Sequence, residues 1–165
     1  MASAFINHVT IWMFVGLLVW AAVSDFRTYL IPNSISVSIA VLYPAHVIAS
    51  PVAVDWPHAA LAAVAMLAVG FALFAMRYAG GGNVKLAAAV ALWVGPTYLP
   101  IFLVLTTIAG GVLAVATATH LRYWRPLPDA AVAPDEASAL KLRTSVPYGI
   151  AIALGGAWVA TQIFN

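Results

Sequence analysis

The sequence predicts an all-α polytopic membrane protein of about six transmembrane helices, with both termini on the outer, periplasmic side and its polar motif loops at the cytosolic edge. Three observations carry this. First, 64% of the 165 residues are hydrophobic and 7% charged, with a mean hydropathy of +1.01, where soluble domains carry roughly 25% charged residues. A chain this short cannot hide so much apolar surface from water, so lipid must cover the remainder. Second, the charges sit in breaks between long uncharged runs. Third, a six-span reading puts all 7 Lys and Arg on one side, as the bias of basic residues toward the cytosol requires.

Taken in order, residues 1 to 24 hold no Lys, Arg, Asp or Glu, and Ile6 to Val23 is long enough for a first span. No basic residue precedes that run, so it reads as retained rather than as a cleaved signal peptide. Asp25 and Arg27 close it. Ile31-Pro32-Asn33-Ser34 then opens a second span to Ala49, with Pro32 holding Ile31 extended and Asn33 expected to cap the helix. After a turn over residues 50 to 57, a third span runs from His58 to Met76 and reaches Arg77. From Leu86 to Thr119 no residue is charged, and Gly95-Pro96 through Pro100 interrupt the run. A single helix of that length would overshoot the bilayer, whereas two passes of roughly 17 residues each fit. A tight helical hairpin with a short first arm is expected. The chain reads as one membrane domain over residues 1 to 165. Residues 120 to 144 form a cytosolic loop in which Pro134-Asp135-Glu136 to Lys141-Leu142-Arg143 reads as a short surface helix, acids first and bases last. Ser145 to Ile163 is the final span.

The chemistry lies in the breaks. Asp25 ends the first span, and Asn83 follows Gly80, Gly81 and Gly82 at the head of the fourth. The two helix ends meet at the same membrane boundary in this topology. Were position 83 an Asp, the pair would be two carboxyls sharing a proton, one able to activate water and the other to protonate a leaving group. The glycines would let the turn swing, or let a substrate backbone approach closely. Asn has nearly the shape of Asp but neither ionises nor shuttles a proton. Such a pair titrates as a unit, so acid and base roles are not divided between its members.

The ordered set of Asp25 with Arg27 and Ile31-Pro32-Asn33, then Gly80-Gly81-Gly82-Asn83-Val84-Lys85-Leu86, then Val146-Pro147-Tyr148-Gly149-Ile150-Ala151 resembles the prepilin peptidase family of intramembrane aspartic proteases. That family pairs an Asp before Ile-Pro-Asn with a second in Gly-x-Gly-Asp, and the likeness covers nearly the whole chain. It implies removal of the basic leader from type IV prepilins or pseudopilins at the cytosolic face of the bacterial inner membrane. The small size resembles the minimal form found with tight-adherence (Flp) pili, and without cysteines or an added cytosolic domain no methylation of the new N-terminus is expected. Asp25 and position 83 would be the catalytic pair. Gly80, Gly81, Gly82, Lys85, Arg27, Pro32, Asn33, Pro147 and Gly149 would bind substrate or shape the motifs. Asn83 departs from the family pattern at the decisive position, as an introduced substitution or as a natural variant, and implies a disabled peptidase. The alternative is a natural non-catalytic prepilin-binding or pilus-assembly membrane protein.

Each feature also has a plainer reading. An Asp at a membrane-helix end commonly pairs with a nearby Arg, here Arg27, and a triple Gly commonly stops a helix. Lys85 and Arg77 serve as topology determinants, and Pro147 with Gly149 bend a span. The combination is what favours the peptidase. His8, His46, His58 and His120 are scattered, so no metal site is expected, and no cofactor is implied. The expected partners are the prepilin, by its leader and first apolar helix, and the lipid bilayer, with no nucleic acid; the residues assign no oligomeric state. The six Trp read as packing and interfacial anchors, and Gly110-Gly111 and Gly155-Gly156 as sites of close helix approach.

Overall fold

The computed structural model describes residues 2–124 and 146–164. The surface helix expected over residues 134 to 143 lies outside the described residues. Those described form five helices and no strands: α1 (Ala2–Thr28), α2 (Asn33–Ala49), α3 (Trp56–Ala75), α4 (Gly81–Trp124) and α5 (Tyr148–Phe164). Three of them, α1, α3 and α4, are long and apolar enough to cross a bilayer, while α2 and α5, at 17 residues each, are shorter.

The distribution of side chains matches lipid as the surrounding solvent. Trp12, Val19, Val41, Ile48, Phe71 and Val112 are exposed, while Asn7, Thr10, Asp25, Ser36 and His46 are buried. Polar groups turned inward and large apolar groups turned outward invert the soluble pattern, because hydrocarbon cannot satisfy a hydrogen bond. The chain is a membrane protein.

Each helix end has a local cause. At the end of α1, Tyr29 takes a left-handed conformation (φ 53°) and its N–H donates to the Asp25 carbonyl at 2.9 Å. Pro32 (φ −58°, ψ 136°) is the residue before α2. Asn33 is therefore the first helical residue and caps nothing, contrary to expectation; its side-chain oxygen is engaged elsewhere. Asp55 caps α3 by accepting from the His58 backbone and ring, the latter at 2.8 Å. That bond holds the Asp55 carboxyl below the usual carboxylate range. At the far end of α3, Tyr78 N–H reaches Leu73 O and Arg77 N–H reaches Phe74 O, both at 2.9 Å, with Arg77 left-handed (φ 64°). The helix thus closes at the left-handed Arg77, before the glycines, of which Gly81 and Gly82 begin α4 instead.

The uncharged run bends at Gly95 (φ 60°, ψ 178°), a conformation in practice reserved for glycine. Pro96 follows at the start of the second arm, where its missing N–H costs nothing. The two arms run in opposite senses along α5. Val90 of the first arm faces Gly156 while its start lies by the α1–α2 turn that Gly149 also touches; in the second arm Phe102 and Thr106 face Gly155, and Gly110 faces Tyr148. The expected hairpin with a short first arm is what forms.

The core gathers around α5, which packs on α1 and α4 through buried Gly149, Ala151, Gly155, Gly156 and Ala160. Small residues there let helix backbones approach, as packing in lipid favours. Gly110, Gly155 and Gly156 fill this role, while Gly111 has open space. At the end away from the polar motifs, Phe14 stacks on Trp93 with centroids 4.4 Å apart, and Trp93 Nε1–H donates to the Ile39 carbonyl at 2.9 Å. Trp93 is therefore a core residue and not an interfacial anchor, whereas Trp12, Trp20 and Trp56 are exposed.

Candidate functional site

One end of the bundle collects the close of α1, the start of α2, the close of α3 and the starts of α4 and α5. Asp25 occupies the last turn of α1 and is 4% exposed. Its Oδ2 accepts from the Gly149 backbone N–H at 2.6 Å. That amide belongs to the first turn of α5, whose N–H groups have no partner within the helix and carry the positive end of the helix dipole. A carboxylate bound there makes a short, charge-assisted bond.

Ile31 interlocks the three motif stretches. A methyl built on Gly149 would lie 2.9 Å from Ile31 Cδ1, and one built on Gly82 would lie 3.3 Å from Ile31 Cβ. A side chain at 149 would force a neighbour to shift and one at 82 would press on Ile31, so close approach rather than backbone conformation favours glycine at both. Gly81 rests in the same way on the Phe74 ring, at 3.3 Å from the built methyl. A second link is polar: Lys85 Nζ donates to Asn33 Oδ1 at 3.0 Å, joining α4 to the first residue of α2.

Asn83 sits in the first turn of α4. Its Oδ1 is buried and has no hydrogen-bond partner, and its Nδ2 lies beside Gly80. An unmade bond on a buried amide oxygen costs about 1–3 kcal/mol, so this position is poorly served by the side chain it carries. Arg27 is exposed, and among the described residues no cation lies in ion-pair distance of the Asp25 carboxylate. The plain pairing of Asp25 with Arg27 does not form. Pro147 is buried and its carbonyl accepts from Ile150 N–H at 3.3 Å, opening α5 at the residue that positions Gly149.

Of the residues singled out in the sequence, the structure thus brings Asp25 to Gly149, Lys85 to Asn33, and Gly82 and Gly149 to one Ile31. Gly80 stands beside Asn83, Pro32 and Pro147 set the starts of α2 and α5, and Arg27 projects away. Asp55, the other described acid, caps α3 at the opposite end. The role of Ile31 as the wedge was not foreseen, although it belongs to the quoted motif; its neighbouring Pro32 and the distant glycines were the available signals.

Among the described residues of this all-helical membrane protein one carboxylate, that of Asp25, is buried, and it is seated where three glycine- and proline-marked turns interlock. The chain matches the type IV leader peptidase family over residues 12–115, and it belongs to that family. The match includes the turns at Asp25 and Asn83 and ends before the one at Gly149. No curated protein and no solved structure matches the chain. Membership brings a leader-peptidase type of function, and a prepilin as the general kind of substrate.

Proposed function

We propose that this chain is an aspartic-type intramembrane peptidase for Flp-type prepilins, with Asp25 and position 83 as its catalytic pair, disabled as it stands by Asn83. It crosses the bacterial inner membrane six times, α4 contributing two passes, with both termini periplasmic and the interlocked turns at the cytosolic face. In the active form, one carboxylate takes a proton from water as its oxygen attacks the scissile carbonyl, and the partner carboxyl gives a proton to the departing amine nitrogen. Asn83 can perform neither transfer.

The observation that carries this reading is the burial of Asp25 at the junction of all three motif stretches, held by the Gly149 amide and free of any described cation. The orphaned Asn83 oxygen supports the second half of the pair. Co-expression with an Flp-type prepilin tests it by the gel shift of the cleaved product. The chain as written should not cut, Asn83→Asp should cut, and Asn83→Asp combined with Asp25→Ala should not.

A second reading, a non-catalytic prepilin-binding or pilus-assembly protein, is favoured by Asn83 itself. It gains if all three chains reach the membrane and none cuts. Cleavage by the chain as written overturns the assignment of position 83.

A further inference from the structure

We propose that the open groove between α2 and α3, floored by the first arm of α4, seats the apolar transmembrane helix of the substrate. This rests on the prepilin-peptidase reading and adds to it where in the bundle the substrate lies. α3 packs mainly on α4, and α2 on α1 and α4, rather than on each other. The space left between them is about 500 Å³. It begins at Asn33 and Lys85, the bonded pair that ties two motif stretches together, and continues along α2 to Ala40. Seven residues of helix make it about 10 Å long.

Three properties select its occupant. Spread over that length, the volume corresponds to a cross-section of roughly 50 Å², which takes more than half the section of a helix about 10 Å across and leaves the rest facing lipid. The walls at Ala40, Ala63 and Ala88 are small, as surfaces that receive a helix backbone in lipid are. Ser36 lines the groove, is 7% exposed, and its Oγ is buried with no hydrogen-bond partner. An acyl chain offers that hydroxyl nothing, whereas a peptide helix brings carbonyls and polar side chains. The groove starts at Asn33 and Lys85, at the same end of the bundle as Asp25 and Asn83, so a helix in it would deliver the chain that precedes it to the level of that pair.

Site-specific photo-cross-linking tests the seat. A benzoylphenylalanine is placed singly at Ala40 or Val64 in the groove, at the exposed Leu30 of the α1–α2 turn that follows Asp25, and at Val19 or Val112 on lipid-facing surfaces of α1 and the second arm. Each is irradiated in membranes containing a co-expressed prepilin. Adducts to prepilin are expected from Ala40, Val64 and Leu30, with at least about tenfold less from Val19 and Val112, and Ala88→Phe should cut the Ala40 adduct several-fold at unchanged protein level. Adducts from Leu30 with none from the groove overturn the seat and leave the peptidase reading standing. Absence of prepilin adducts at all five positions, with prepilin in the same membrane, counts against both.

Discussion

Gly149→Ala is the substitution that most sharply separates the site from the scaffold. The added methyl would lie 2.8 Å from Asp25 Oδ2 and 2.9 Å from both Asp25 Cβ and Ile31 Cδ1. The Ile31 methyl is a side-chain tip that can turn aside, but Asp25 Cβ cannot yield without moving the end of α1. Such overpacking costs about 1–3 kcal/mol, and a stretched bond from the Gly149 amide forfeits part of the ~1.5–3 kcal/mol attached to hydrogen bonds with charged groups. If about 2 kcal/mol of this falls on the reacting geometry, cleavage slows by roughly 30-fold. The assay is prepilin cleavage in the Asn83→Asp background, normalised to folded protein, beside thermal unfolding in detergent. Gly156→Ala is the matched control, since its methyl would lie 2.9 Å from Leu18 Cδ1 and 3.0 Å from Val90 Cγ1, far from Asp25. It should lose comparable stability yet keep cleavage within about threefold. Gly16→Ala, with nothing within 4 Å, should leave cleavage unchanged and keep or slightly raise stability. Equal cleavage by Gly149→Ala and its parent, or an equal loss in Gly156→Ala, would refute the reasoning.

Four further outcomes are expected. Lys85→Met removes the exposed bond to Asn33; unfolding should shift by less than about 1 kcal/mol, while cleavage in the Asn83→Asp background falls several-fold because two motif stretches are no longer tied. Gly95→Ala has room for its methyl, with only Ala59 Cβ at 3.9 Å, but must hold φ at 60°; a loss of about 1–3 kcal/mol of stability should appear in thermal unfolding from backbone strain alone. Trp93→Phe removes the indole bond to the Ile39 carbonyl and should cost about 0.5–1.5 kcal/mol in the same measurement, with cleavage unaffected, since Trp93 lies at the end of the bundle away from Asp25. Asp55, whose folded pKa is depressed by its bond from His58, contributes stability above its ordinary value of 3.8 that is lost as pH falls through the lower folded value; the melting temperatures of the parent and Asp55→Asn should differ at pH 7 and converge in strong acid.

Much of the fold was legible because lipid imposes a simple rule: long uncharged runs become helices and charges mark their ends. The bend at Gly95 followed from the excess length of the run between Leu86 and Thr119. The turn chemistry was less legible. Three glycines together suggest a helix stop, yet the left-handed residue that ends α3 is Arg77, and Gly81 and Gly82 are small because Phe74 and Ile31 press on them. Asn33 has the chemistry of a cap, but Pro32 takes the capping position and Lys85, distant in sequence, takes the amide oxygen. The bond between Asp25 and Gly149 spans 124 residues, and no local pattern encodes it. Hydrophobicity alone did not divide the indoles between packing and interfacial anchoring, and Trp93 takes the packing role, stacked on Phe14 and His46 in the core.

The account stands on Asp25 and position 83 forming one pair, and the absence of cysteine from the sequence makes that directly measurable. Asp25→Cys with Asn83→Cys, in an otherwise cysteine-free chain, is treated with a short bifunctional maleimide in membranes with and without prepilin. Asn33→Cys with Lys85→Cys serves as the reference pair, because those side chains touch at 3.0 Å. The account predicts efficient linkage of the first pair when prepilin is bound, with a yield comparable to the reference. Linkage of the reference pair alone, with prepilin present and bound, would contradict it.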